Sequence, residues 1–555
     1  MKMEFVNFEG FQEKINQGFD KLKKEDFLKR LLDRDFTLWK DTEAEISNRL
    51  GWLDSPIRVK DFLPDYQAES RNLSVSGIKH VVLLGMGGSS LAPKTISDLI
   101  SRKFHSLEFT MLDTTSPEAI LKLARLTEEQ AGKTLFIVSS KSGTTTETLC
   151  FMNYFYARQR EKLKDKVGQY FTAITDPGTP LEKIAHQLGF RKVINGFPEV
   201  GGRFSALSPF GLFPAGTLGL DLEKFLTPAI SSYQSLAGGD YNHPGVELGV
   251  RLGALASAGL NKLTFLLPAE IKSFGRWLEQ LIAESTGKEG RGILPVLEVM
   301  PVSPESYGQD RVFVLLSSEE QLDVFQEERL QHLSRRHPLI KIILNPEELS
   351  EHFYLWEVAT AIVGHFLSIN PFDQPDVELT KTKTRQLLKS DQKEPEMETF
   401  EPAEKKETLK KLLSFLAQHR HTADYFSLLC FLPPEPNLEV ALDNFARLLA
   451  EKTARPCLWN FGPAYLHSTG QLFKGDAGRG KFIGLFFSEA NLVPIPDLPG
   501  SPAPALSFNQ LFLAQAVADY RALLEKKRDV MFIKLSGSPV SEIFRLCELV
   551  REGRF

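Results

Sequence analysis

Cysteine is scarce in this chain. The four present, Cys150, Cys430, Cys457 and Cys547, are scattered over 555 residues without the paired spacing of a metal site. That excludes a disulfide framework and a structural zinc motif, and suits a reducing compartment. Excess positive charge is also lacking. The net charge is -5 and the pI about 6.2, and no basic stripe with interleaved aromatics stands out, so a nucleic-acid partner is not expected. Long apolar runs are missing too. The opening M-K-M-E-F-V-N-F-E-G has no apolar core of a signal peptide. Phe353–Leu367, the most apolar segment, is interrupted by Glu357 and His365 and is shorter than a bilayer span, so it predicts a packed helix. These absences describe a soluble, cytoplasmic protein that makes no use of a membrane.

What the chain has in abundance, at one place, is hydroxyl groups. Thr134–Leu149 reads T-L-F-I-V-S-S-K-S-G-T-T-T-E-T-L. Its branched first half, Thr134–Val138, predicts a buried parallel strand. Ser139, Ser140, Ser142, Thr144, Thr145 and Thr146 then surround Lys141 and Gly143, and a helix follows. Gly143 permits a tight turn. The first helical N–H groups, the hydroxyls and the positive end of the helix dipole make an anion cradle. Hydroxyls after a strand often serve only as caps and turns, but six beside a lysine exceed what capping needs. The stretch predicts phosphate binding.

The length calls for three or four domains. Residues 1–70 carry apolar positions at helical spacing, as in Phe27, Leu28, Leu31, Leu32, Phe36 and Trp39, and predict a helical arm without visible chemistry. From Lys79 strands and helices alternate, which predicts a parallel sheet over residues 71–225 with ligands at the carboxyl ends of its strands. A second α/β unit follows over residues 226–390, then a Lys/Glu/Asp/Pro-rich linker at 391–408 and a smaller α/β domain at 409–555. The glycine-rich turn Gly85–Ser90, with Asp113 ending the next strand, also fits a dinucleotide site. Ser90 replaces that fingerprint's third glycine, and the neighbouring hydroxyl turn favours a phosphomonoester held by two loops.

Further candidates follow along the chain. In V-G-G-R-F-S (Val200–Ser205) the glycines admit a close backbone approach, and Arg203 offers a permanently charged fork; a surface turn with a solvated arginine is the alternative. On the helix from Phe274, Arg276, Gln280 and Glu284 recur every four residues and share a face. Glu284 falls in the last turn before Gly287, where the negative end of the dipole disfavours ionisation, as suits a general base near neutral pH. In N-P-F-D-Q-P-D-V-E-L-T-K (Asn370–Lys381), Gln374 lies in a turn and Lys381 two turns into a helix.

With these motifs in view, the chain resembles the glucose-6-phosphate isomerase family. G-M-G-G-S-S, S-S-K-S-G-T-T-T-E-T, V-G-G-R-F-S, Q-L-I-A-E-S-T-G-K and N-P-F-D-Q-P-D-V-E-L-T-K occur in the family's order between Gly85 and Lys381. The C-terminal F-G-P-A-Y-L-H-S-T-G-Q-L-F-K-G looks like the isomerase half of fused transaldolase/glucose-6-phosphate isomerases. The resemblance implies two doubly wound sugar-isomerase (SIS) domains with the active site between them, glucose 6-phosphate and fructose 6-phosphate as substrates, and a homodimer as a candidate assembly. By motif position, Gly88, Ser89, Ser140, Lys141, Ser142 and Thr145 would contact phosphate and sugar. Gln280 would bind sugar and Gln374 would lie on the phosphate side. Glu284 would be the base, Arg203 would stabilise the enediolate, and Lys381 would assist ring opening. The family's G-Q-H motif is replaced here by Gly308-Gln309-Asp310, so its ring-opening histidine is absent. Asp310 is the nearest match. Among eleven histidines, His467 is best placed to substitute, in a polar loop with Ser468, Thr469 and Gly470, provided that the third domain folds over the SIS pair.

The implied chemistry agrees with the residues. Aldose–ketose isomerisation passes through a cis-enediol and needs a carboxylate base, a cation beside the oxyanion and a dianion clamp, with no metal or redox cofactor. A non-catalytic SIS-type sugar-phosphate sensor is the rival, but it would not need Glu284, Arg203 and Lys381 together. A transaldolase activity is not expected of these residues, since a barrel takes on the order of 250 residues and only about 70 precede the first SIS-like unit.

Overall fold

The chain begins with a short strand, β1 (Met3–Val6), inside what the helical spacing predicts to be a purely helical arm. Four residues are too few for alternation to stand out in sequence. In the computed structural model, which describes residues 3–100, 107–298, 301–317, 324–389, 401–402, 406–488, 491–498 and 506–552, the rest of the arm is helical, as in Gln12–Lys24, Phe27–Leu32 and Leu63–Val75. Phe27, Leu28 and Leu31 are buried, as their spacing predicts.

Three five-stranded sheets carry the architecture. The first holds β2 (His80–Gly85), β3 (Glu108–Leu112), β4 (Thr134–Ser139), β5 (Phe171–Thr175) and β6 (Lys192–Asn195), all parallel in the order β3-β2-β4-β5-β6. The second holds β7 (Lys262–Leu266), β8 (Leu294–Glu298), β9 (Arg311–Ser317) and β10 (Leu339–Ile343) in the order β1-β10-β9-β7-β8, with β1 antiparallel on the edge. Strand β8 is not expected from the sequence, because Pro295 breaks its apolar run. As an edge strand it tolerates the missing N–H.

The third sheet holds β11 (Glu401–Pro402), β12 (Tyr425–Phe431), β13 (Cys457–Phe461), β14 (Gly480–Phe486) and β15 (Asp529–Lys534), parallel in the order β11-β15-β14-β12-β13. Of the expected linker, residues 391–400 and 403–405 lie outside the described residues. The apolar segment around Phe353 is the buried helix Leu349–Leu367. Among the described residues no helix is long and apolar enough to cross a membrane.

The third domain docks at close range. A Cβ on Gly287 would sit 2.3 Å from Leu472 Cα, so only glycine allows this contact. Gly290 donates its N–H to the Gly475 carbonyl at 2.9 Å. The Gln471 amide donates to the Gly287 carbonyl (3.1 Å) and to Asp376 Oδ2 (2.8 Å), and its oxygen accepts from the Asp376 N–H (2.9 Å). Inside the domain, Asp519 accepts from the Tyr465 hydroxyl at 2.5 Å and pairs with Lys474 at 2.6 Å, the lysine and aspartate side chains being 1% and 0% exposed. This network clamps the two short helices Ala464–His467 and Gly470–Gly475 against the helix Phe508–Glu525. Asp519→Ala would strand a buried ammonium, so a loss of about 3–5 kcal/mol is expected. It should appear as a lower urea midpoint, whereas Glu347→Ala, which breaks an exposed pair with Lys224, should leave the midpoint in place.

Candidate active site

The carboxyl ends of β2 and β4, the last turns of the helix Lys272–Thr286, the start of the helix Pro375–Lys389 and the segment around His467 enclose a cleft of about 730 Å³. Its floor is made by glycine turns. After β2 the chain turns through Gly87, which has a left-handed φ of +54°; a side chain there would meet the Gln280 amide and the His467 carbonyl. A Cβ on Gly88 would lie 2.1 Å from the Gly202 carbonyl, so the Gly85–Ser90 and Val200–Ser205 turns stack backbone on backbone. Ser205 ties them by donating to the Gly202 carbonyl (2.7 Å) and the Gly88 carbonyl (3.3 Å). Ser90, where a dinucleotide fingerprint would have glycine, donates to the Gly87 carbonyl at 3.0 Å.

After β4, Gly143 turns with φ +63° and the helix Thr146–Leu163 begins. Its N-cap, Thr145, makes no side-chain cap bond, so its first-turn N–H groups are not consumed by that residue. Ser142, Thr144, Thr145 and Ser89 line the cleft. Ser140 does not; it is buried beneath and donates to Thr145 Oγ1 at 2.9 Å. Lys141 lines the cleft, but its ammonium pairs with Asp176 and donates to the carbonyls of Phe197 (3.2 Å) and Pro198 (3.0 Å). All three N–H groups are spoken for. Burial pushes the Lys141 ammonium below its usual range, and Asp176 works against that shift.

On the opposite wall, Glu284 lies in the last turn of its helix, as the sequence predicts, and is 3% exposed. Oε1 pairs with Arg203 Nη1 at 3.0 Å and Oε2 accepts from Gln280 Nε2 at 3.1 Å. Gln280 also donates to the His467 carbonyl at 2.7 Å. Arg203 is buried, not a solvated turn residue. It donates to Gln374 Oε1 (2.9 Å) and to the carbonyls of Pro371 and Asp373 (both 3.1 Å). Gln374 lines the cleft, with its amide oxygen held by the arginine. Behind Glu284, Lys288 donates to both the Asp373 carbonyl and Oδ1 at 2.6 Å; burial and the nearby Arg203 push its ammonium down to about 8.

Lys381 lines the cleft, paired with Glu378 at 2.8 Å. His467, reaching in from the third domain, holds Glu147 Oε1 through Nε2 at 3.1 Å. With Nε2–H donating to a carboxylate, Nδ1 is the nitrogen left for a ligand. Glu147 Oε1 also accepts from Gln515 Nε2 at 2.7 Å, and Gln515 Oε1 from Thr115 at 2.6 Å. Burial pushes the Glu147 carboxyl up, but His467 and its hydrogen bond outweigh it and hold the group below the usual carboxylate range.

Asp310 is not brought to the site. It immediately precedes β9, does not line the cleft, and its carboxylate is taken up by Lys262, the first residue of β7, at 2.8 Å. The helical arm reaches the cleft, where Glu45 and Arg49 line it. Glu147 also escapes the motif reading, although its position two residues into an acceptor-poor helix start could have marked it. Glu45, Arg49 and Gln515 carry no local signal.

The phosphoglucose isomerase family model matches residues 55–289. A probable glucose-6-phosphate isomerase of Haloarcula marismortui is 30% identical over 358 residues, which is 57% of this chain and 80% of that protein. A glucose-6-phosphate isomerase of Mycoplasma capricolum is 25% identical over 388 residues, 61% of this chain and 90% of the relative. Among solved structures, a hypothetical protein from Thermus thermophilus superposes with a TM-score of 0.59 at 25% identity, covering 70% of this chain and all of that one. The first two sheets form the SIS-type pair and the third sheet the added α/β domain. A cleft with these motifs in this order, together with relatives of this likeness, leads to one conclusion: the chain belongs to the glucose-6-phosphate isomerase (phosphoglucose isomerase) family.

Proposed function

We propose that the cleft interconverts glucose 6-phosphate and fructose 6-phosphate, with Glu284 as the base. The observation that carries this reading is the buried Glu284–Arg203 pair, in which a carboxylate and a permanent cation sit side by side in the cleft that the hydroxyl cradle also lines. A sugar-phosphate sensor has no use for that pair.

In this reading the phosphate lies among Ser89, Ser142, Thr144, Thr145 and the first-turn N–H groups, which orients the sugar by binding remote from the reacting carbons. Glu284 takes the C2 proton of the open-chain aldose. The bonding pair becomes the C1=C2 double bond of the cis-enediol, O1 gains a proton, and the O2 proton is released as the C2 carbonyl forms. Glu284 returns its proton to C1. Arg203, held in place by Gln374 and two carbonyls, stabilises charge on the oxygens as it develops. Ring opening falls to His467, with Lys381 nearby. Glu147 keeps the His467 ring oriented. The substrates are cytoplasmic metabolites, and in a homodimer each chain would still bring His467 to its own cleft.

Turnover of fructose 6-phosphate in deuterated water should place deuterium at C2 of the glucose 6-phosphate formed. Glu284→Gln should lower kcat by at least about 100-fold, the scale of a general base, and remove that exchange; ordinary turnover by this variant would overturn the assignment. Ser142→Ala with Thr145→Ala should act mainly on KM, because phosphate contacts already form in the ground state. His467→Ala should slow cyclic glucose 6-phosphate more than an open-chain analogue. Equal slowing of both would remove ring opening from His467.

A further inference from the structure

Two cations meet on one carbonyl oxygen at the mouth of the hydroxyl cradle. The Pro198 oxygen accepts from Lys141 Nζ at 3.0 Å and from Arg49 Nη1 at 3.4 Å. Lys141 has no N–H left, for Asp176 and two carbonyls take all three. Arg49 still does. Of its five N–H donors, Nε and one on Nη2 go to Glu45 Oε2 (3.1 and 2.9 Å) and one on Nη1 to Pro198, leaving one on each terminal nitrogen.

Resting on the isomerase reading above, we propose that Arg49, supplied by the N-terminal arm, is the cation that recognises the substrate's phosphate dianion. The motif lysine acts instead as an internal brace.

The arm is built into the site firmly enough for this task. Leu50 bridges Val200, and Gly51 donates its N–H to the Glu199 carbonyl at 2.9 Å. Arg58 pairs with Glu199 at 2.9 Å. Two residues beyond Glu199 begin Gly201 and Gly202, and the site of a Cβ on Gly201 is 3.9 Å from Arg49 Cδ. The guanidinium is therefore fixed relative to the turn that carries Arg203. Asn370, ahead of Gln374, donates to the Glu45 carbonyl at 3.4 Å, so the same segment is held from the second side of the cleft.

Chemistry favours a dianion over Glu45 as the partner of Arg49. Glu45 is 49% exposed, and such an ion pair is weak and easily opened. A phosphate monoester offers more charge and more acceptors in a geometry that suits the guanidinium fork. Asp176 holds Lys141 in a much less exposed pair, at 20% and 15%, which does not open so readily. The hydroxyls of Ser142, Thr144 and Thr145 then supply neutral donors, and Arg49 the charge.

The test uses the full chain and inorganic phosphate as well as substrate. Arg49→Met should raise both the KM for glucose 6-phosphate and the inhibition constant of inorganic phosphate by roughly 10- to 100-fold, the strength of one charged hydrogen-bonding contact, with the loss falling on KM and not on kcat. Arg49→Lys should recover much of it, and Glu45→Gln should tighten phosphate binding. Phosphate binding is also read without turnover, by the thermal shift it produces, so a chain that failed to isomerise would still report on Arg49. Unchanged phosphate binding in Arg49→Met overturns the proposal. So does a fall in kcat at constant KM, which would make Arg49 only a support for the Arg203 turn.

Discussion

A single buried guanidinium joins the halves of the cleft. Arg203 leaves the turn that follows β6, yet its partners all belong to the second unit: Glu284 at the end of one helix, and Gln374 with the carbonyls of Pro371 and Asp373 in one loop. An arginine so enclosed is tolerable only if its charge is matched and its donors are used. Glu284 depends on the pairing just as much, since a carboxylate 3% exposed at the negative end of a helix has, besides it, the Gln280 amide as its only hydrogen-bond donor among the described residues. Removing either partner strands a buried charge. The pairing proposed for proton transfer is therefore also a condition for the two units to close on each other.

The third domain extends this arrangement. In doubly wound sheets ligands gather at the carboxyl ends of strands, and here the segment after β13 carries His467 into the same cleft as the ends of β2 and β4. Close glycine contacts make that possible, Gly287 against Leu472 and Gly87 against the His467 carbonyl. Gln471 then spans Gly287, at the end of the Glu284 helix, and Asp376. The added domain is thus fastened beside Glu284, and its histidine inherits the precision of that attachment.

The parts of the site written in contiguous residues were legible beforehand. The hydroxyl turn, the double-glycine turn and the Gln280–Glu284 helix face each combine a backbone requirement with a chemical one inside a dozen residues. Relations that tertiary folding creates were not legible. Glu147 and His467 are 320 positions apart, and nothing near Arg49 marks it as lining the same cleft as Ser142. Asp310 misled because motif spacing says nothing of its partner: it sits just before the strand that starts at Arg311, tied to Lys262 and outside the cleft lining. Pro295 hid β8, since its tolerance depends on the strand being an edge. The Phe27–Trp39 spacing revealed the helices of the arm but not the four residues that pair with β10.

The cleft's charges are arranged by how easily they can be separated. Four cationic side chains lining it have carboxylate partners, Arg203 with Glu284, Lys141 with Asp176, Lys381 with Glu378 and Arg49 with Glu45, and the His467 ring bonds Glu147. The first pair is nearly inaccessible, at 5% and 4% exposure, whereas the Lys381 and Glu378 side chains are 35% and 57% exposed. Water screens the outer pairs and weakens them, while burial strengthens the inner ones. An arriving dianion can therefore replace the outer carboxylates at small cost, but cannot pull Arg203 from Glu284. In the proposed mechanism the same gradient of burial divides the labour of the site: capture belongs to pairs that open, and proton transfer to a pair that stays closed.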